Sequence, residues 1–425
     1  MTARGASTLA LAAALFTGCA SAGSAAGAGK GANSGAASAS TAASASSSTS
    51  ASAASSAASN TSAAPKTLPS LQPEPGWPRW LEDSNSRTHQ TSGLAYVGRN
   101  SSGARVFLAA DDEGDLWRLE LAPPDDEFLL EQIEFVGAAR ETLARFPKDD
   151  FEDITYCPIS HRVLVSIEGN GPKEDEADTT FRDWLGIFEL QIEPDVMHAE
   201  RVPKVDRLPL PEWRDATRYA CRNVGFEAAA ACMDTIVLGL EGVMLGPGLF
   251  ADSTFIQVFD LARGTRLEFS TSGHAIGTAT GLARASSGAY YGIDRNSARL
   301  FTFTIRDGAL RDVRTIGLSM PGIHGVPYLI PSAESIAIDD EDYLWIVVDP
   351  WKYEPMTQEG LSPRDIDNFR DKVPLIYKYR DPFTTADAGT SGGKPDDGGA
   401  KKNARDGGGK PNGGSEGERP KGESR

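Results

Sequence analysis

Histidine is scarce in this chain: five in 425 residues, with no close pairing, so a zinc enzyme is not expected. Gly-x-Ser-x-Gly occurs only in the Gly-rich tail, at 389–393 and 413–417, where no strand-to-helix pattern surrounds it to shape a serine-hydrolase elbow, and no phosphate-cradling glycine loop precedes a helical stretch. Positive charge is short as well. Residues 66–383 carry 32 Lys and Arg against 52 Asp and Glu, a balance near −20. A body that acidic argues against nucleic acid or an anionic lipid surface as partner, and suits cations or basic partners. The apolar run from Leu9 to Phe16 is too short to span a bilayer permanently.

What the chain does have is a repeat. GFEAAAACMDTIVLGLEG at 225–242 reads as two short strands, and the same plan recurs at 92–112, 151–169, 280–294 and 333–349. Each copy is followed by an alternating apolar strand, at 115–121, 186–192, 255–261, 299–305 and 374–380. Five sheet units in series predict an all-β β-propeller of five blades, with room for a sixth in the lead-in and the long connections. Residues 66–90 hold Trp77 and Trp80, expected to pack on the outside of the barrel or to donate a closing strand to the last sheet. Residues 194–222 read as a long connection, and Ser362–Pro363 as a helix start.

The acids keep register with the repeat. Glu152, Glu227 and Glu334 begin the first strands of their units; Glu168, Glu241, Asp294 and Asp349 end the second. A propeller sets its first strands along the central axis, so these carboxylates are expected to face one channel. There they repel unless a cation or backbone N–H groups compensate them. Two outcomes follow, a set of hydrogen bonds that locks the ring or a divalent-cation site, with Ca2+ the hard cation that suits carboxylate oxygens. The cluster Asp111-Asp112-Glu113-Gly114-Asp115 reads first as a tight turn and second as a weak calcium site. Candidate cations near the mouth loops are Arg218, Arg222, Arg295 and Lys352, with His274 and His324.

Both ends differ in composition from the middle. Residues 19–65 are almost entirely Ser, Ala, Gly and Thr, and residues 384–425 are rich in Gly, Lys, Asp and Pro; both are expected to stay unstructured. The domain is therefore placed at 66–383. Arg4, the apolar run and Thr17-Gly18-Cys19 resemble a bacterial lipoprotein signal over residues 1–18. That resemblance implies acylation of Cys19, and Ala20 after it implies the outer membrane, with residues 20–65 a tether of about 40 Å. The membrane is then a partner through the lipid alone. Of the remaining thiols, Cys157 with Cys232 and Cys221 with Cys232 are both sensible pairs.

Asn223-Val-Gly-Phe-Glu227 with Leu240-Glu241-Gly242 resembles the motif of the esterase-like phytase propellers, and Asp294-Arg295-Asn296 resembles a step of the same group. Ala333-Glu334-Ser335-Ile336-Ala337 is similar both to that group and to the bacterial SdiA-regulated propellers. Asp153, Ala228 and Ser335 stand where the pattern has Gly after Glu. The resemblance implies a calcium-dependent phosphoester or ester hydrolase; a reaction of that kind needs acids with cations to hold the phosphate, and the candidate catalytic set is Glu227, Glu241, Arg222 and Arg295. The residues themselves favour a binding module holding a small-molecule or protein ligand at the mouth. The hydrolase is the alternative.

Overall fold

Alternating or continuous apolar runs bounded by turn residues produce strands buried on both faces, and here they assemble as five blades of four strands, with Ser70–Leu71 of the lead-in added in parallel to the outer edge of the fourth. The computed structural model describes residues 70–124, 127–148, 150–169, 181–246, 249–326, 332–348 and 358–384. The innermost strands of blades 1 to 5 are Thr91–Arg99, Phe151–Cys157, Ala228–Cys232, Leu282–Arg284 and Ala333–Ile338. Each packs on the next, and the fifth returns to the first, so the ring is closed. Moving outward, blade 1 adds Arg105–Asp111, Leu116–Leu121 and Phe128–Phe135, all antiparallel. Blade 2 adds Arg162–Ile167, Gly186–Glu193 and Arg201–Arg207. Blade 3 adds Thr235–Gly239, Phe255–Asp260 and Thr265–Ser270, and blade 4 adds Tyr290–Asp294, Arg299–Arg306 and Ala309–Leu318.

Blade 5 takes its fourth strand from the other end of the chain. Tyr343–Val348 and Leu375–Arg380 follow its inner strand, and Arg79–Trp80 pairs antiparallel with Ile376 and Leu375 to finish the sheet. Closure by a terminus leaves no open edge at the joint. Of the two expectations for the lead-in, the closing strand is the one seen; Trp77 is not on the outside but buried between blades, edge-on against Trp345 of blade 5 at 5.1 Å and Phe128 of blade 1 at 6.2 Å. Apolar side chains fill the space between neighbouring sheets. One cluster joins blades 1 and 2 through Val106, Leu108, Phe151 and Val165, and another joins blades 5 and 1 through Phe107, Leu119, Trp345 and Val347.

Five blades account for the described residues. The segments with room for a sixth are used otherwise: the lead-in closes blade 5, and Arg201–Arg207 is the outer strand of blade 2, not part of a connection. That strand also meets Glu134 and Phe135 of blade 1 in parallel, which fuses two blades along their outer edges. The helix near Ser362 runs Pro363–Arg370 and carries a capping box between Ser362 and Asp365. Three shorter helices, Gly137–Leu143, Phe181–Trp184 and Trp213–Ala216, lie in connections that show no helical periodicity in sequence. Neither cysteine pair forms, since Cys157 and Cys232 are both free thiols. Cys19, Asp349, Lys352 and the tail from 385 lie outside the described residues.

Candidate functional site

Because every inner strand begins at the same end of the ring, and every second strand ends there, the acids at those positions reach one mouth. Glu168, Glu227 and Glu241 are 3%, 7% and 4% exposed, and one carboxylate oxygen from each lies within 4.8 Å of the others. Three of their oxygens, Glu168 Oε1, Glu227 Oε2 and Glu241 Oε2, are buried without a hydrogen-bond partner. Arg295, from the turn after the second strand of blade 4, stands between this group and the neighbouring blade 5. Its guanidinium donates to Glu241 and to Glu334 of blade 5, and Glu227 Oε2 lies 3.4 Å away. Glu334 also accepts from Ser332 Oγ at 2.8 Å.

Burial and like charge act together on these carboxyls. Glu227 is pushed well above the usual carboxylate range by burial, against the pull of Arg295 and with Glu241, Glu334 and Glu168 adding repulsion. Glu168 is raised well above it by burial and by Asp150 and Glu241. Orphaned, buried, closely spaced carboxylate oxygens are the donor set that a hard divalent cation accepts, so the residues present fit such an ion.

A second lobe of the same mouth holds Asp112, Asp150 and Glu152, again with one oxygen each within 4.8 Å. Lys148 donates to Asp150, and Glu152 is raised well above its ordinary value by burial, then by Glu168, Asp112, Asp150 and Glu227. Glu152 therefore looks onto both lobes. Asp150 and Lys148 escape a sequence reading because they precede the strand that marks the repeat, whereas Asp112 belongs to the acidic turn whose second reading is a weak calcium site.

The remaining candidates are placed as follows. Asp294 is fully buried and accepts from Thr278 Oγ1 at 2.8 Å and Gly277 N at 3.1 Å, so it ties together the loop of its own blade. Arg222 is half-buried in the turn closed by the Cys221–Val224 bridge. Arg218 donates to Glu268 and to the Asp215 carbonyl on the outer face of blade 3. His274 is exposed, and His324 Nε2 lies 3.4 Å from Asp365. Beside Arg295 a cavity of about 530 Å³ opens between blades 3 and 4, lined in part by Phe250, Asp252, Asn296, Ser297 and Arg299.

One layer below the mouth the ring narrows. The five equivalent positions are Gly93, Asp153, Ala228, Gly281 and Ser335. Asp153, fully buried, accepts from Ala229 N of blade 3 at 2.7 Å, Ser335 Oγ of blade 5 at 2.7 Å, Leu282 N of blade 4 at 3.4 Å and Ile154 N at 2.9 Å. Ser335 Oγ in turn accepts from Leu94 N of blade 1 at 3.0 Å. One carboxylate and one hydroxyl thus join all five blades on the axis and floor the pit above. A side chain at Gly93 or Gly281 would strike this hub, since an added Cβ would stand 2.8 Å from Ile154 N or 2.7 Å from Ser335 Cα.

No protein-family model and no curated protein sequence matches the chain. Among solved structures, a luciferin-regenerating enzyme is similar over 72% of this chain and 96% of its own, at 12% identity and a TM-score of 0.39. A PQQ-bound aldose sugar dehydrogenase from Streptomyces coelicolor is similar over 73% and 99%, at 12% identity and 0.35. The Cps50 (Swd1) β-propeller domain of Myceliophteria thermophila is similar over 61% and 66%, at 12% identity and 0.30.

Proposed function

We propose that this propeller is a divalent-cation-binding module of the cell envelope, tethered through an acylated Cys19 and residues 20–65, which holds a small-molecule or protein ligand at its acidic mouth. The observation that carries this reading is the set of three buried carboxylate oxygens, on Glu168, Glu227 and Glu241, that have no donor. Oxygen-only ligation selects a hard cation, and Ca2+ is the ion proposed. Glu168, Glu227 and Glu241 would hold it, with Glu152 and Glu334 shaping the field around it. Its bound charge would offset carboxylates that otherwise repel one another.

Thermal unfolding tests the site. A cation that binds only the folded state stabilises it by about 2.7 kcal/mol at a hundred times its Kd. Calcium is therefore expected to raise the Tm of the wild-type chain and chelator to lower it, with neither effect in Glu168→Gln. A wild-type Tm indifferent to calcium sinks the reading. For the tether, metabolic labelling with a radioactive fatty acid is expected to mark the wild type and not Cys19→Ala.

A second reading, the phytase-like phosphoesterase, is supported by Arg295 standing among the same carboxylates, since phosphoryl transfer needs a cationic clamp beside acids. When bound, the divalent ion would supply Lewis-acid chemistry there. Arg295 would hold phosphoryl oxygens, and the floor at Asp153 would keep the ligand at the mouth. Hydrolysis of a chromogenic phosphomonoester that vanishes with chelator and in Glu227→Gln decides for this reading over simple binding.

A further inference from the structure

The cation proposed above does not face an undefended set of acids, because Arg295 already stands among them. Its guanidinium contacts Glu227 and Glu241 of blade 3 and Glu334 of blade 5, while its side chain is only 12% exposed. Glu227 and Glu241 each supply one contact to Arg295 and also belong to the closely spaced donor triad. Of the two Glu227 oxygens it is Oε2 that pairs with Arg295, at 3.4 Å, and it accepts no hydrogen bond. Glu168, the third member of the triad, also has an orphaned oxygen, Oε1. Two cations cannot share Glu227 and Glu241 at this burial without strong repulsion, since screening by water is weak there.

We propose, resting on the cation-site reading, that Arg295 is a resident counter-cation which competes with the divalent ion and sets the concentration at which the site fills. Glu168 receives the ion first. Glu227 and Glu241 then turn from the guanidinium to the ion, and Glu334, outside the triad, keeps Arg295 parked at the edge of the pit. Without the ion, Arg295 alone ties blade 3 to blade 5 across the mouth. With it, the guanidinium is left with donors directed at the pit, where an anionic group of a ligand can take them.

Calcium titration calorimetry on the full chain tests this. Arg295→Gln is expected to bind Ca2+ about tenfold or more tightly than wild type, because the competitor is gone. In Arg295→Ala, added methylguanidinium is expected to weaken Ca2+ binding competitively, a response that a merely structural arginine would not give. Equal or weaker binding in a folded Arg295→Gln overturns the proposal while leaving the cation site standing. Absence of binding in both proteins removes the site and the competition together. If Arg295→Gln folds only when Ca2+ is present, the ion is replacing the guanidinium and the proposal stands. Failure to fold in both calcium and chelator overturns it, since the two cations are then not interchangeable.

Discussion

At the scale of single residues, Asp153 carries the largest structural consequence. Its carboxyl is pushed well above the ordinary range by burial, against donors from Ala229, Ser335, Leu282 and Ile154. Removing it leaves those groups buried and unpaired, so Asp153→Ala is expected to lose about 3–5 kcal/mol in urea unfolding. Asp153→Asn, which keeps the size and part of the hydrogen bonding, should lose less. Gly281→Ala presses a methyl against Ser335 and is expected to cost about 1–3 kcal/mol. If both Asp153 variants unfold at the wild-type midpoint, the axial hub does not hold the ring. In the sequence Asp153 shows only as an acid in a place where related motifs have glycine. Its partners lie 76, 129 and 182 residues away, so no local spacing announces the bond. Glu168, Glu227, Glu241 and Arg295 were legible because a repeat puts equivalent positions in equivalent places.

At the scale of elements, the inner hairpins were legible and the outer strands were not. Phe151–Cys157 and Arg162–Ile167 are nearly all buried, which leaves a dense apolar signal; Arg201–Arg207, an outer strand, is largely exposed and contains Pro203. Only one face of such a strand is packed, so its sequence reads as connection. The helix Pro363–Arg370 and the closing strand Arg79–Trp80 depend on each other. Trp80 Nε1 donates to Asp365 at 2.8 Å, and its ring meets Phe369 edge-on at 4.9 Å. Trp80→Ala should therefore cost about 3–5 kcal/mol, read as a lower urea midpoint. Burial raises the Asp365 carboxyl, but the Ser362 hydroxyl, the Trp80 indole and the Ser362 N–H outweigh it and hold the group below its usual value. A depressed carboxyl contributes stability above its unfolded pKa of about 3.9, and that contribution is lost as pH falls through the lower folded value. Below about pH 4, Asp365→Asn is therefore expected to lose less stability than wild type on further acidification; parallel acid limbs would refute the assignment.

For the molecule as a whole, the joint at blade 5 is where the ring is held by hydrogen bonds and packing in place of a covalent link. A chain truncated to begin after Trp80 leaves Leu375–Arg380 as a bare edge. It is expected to melt well below wild type and to associate through that edge, seen as dimers or larger species by light scattering. A monomer of unchanged Tm would mean that the fourth strand is dispensable. The closed ring was readable from five repeats, whereas the pairing of its two ends, nearly 300 residues apart, was readable only as one of two options for a tryptophan-bearing lead-in.

Asp153 and Ser335 occupy the axis beneath the acidic mouth, bonded to all five blades. On the proposed reading a ligand would enter past Glu168 and Arg295 and leave by the same path, so an obstruction at the rim would slow arrival and departure alike and leave affinity untouched.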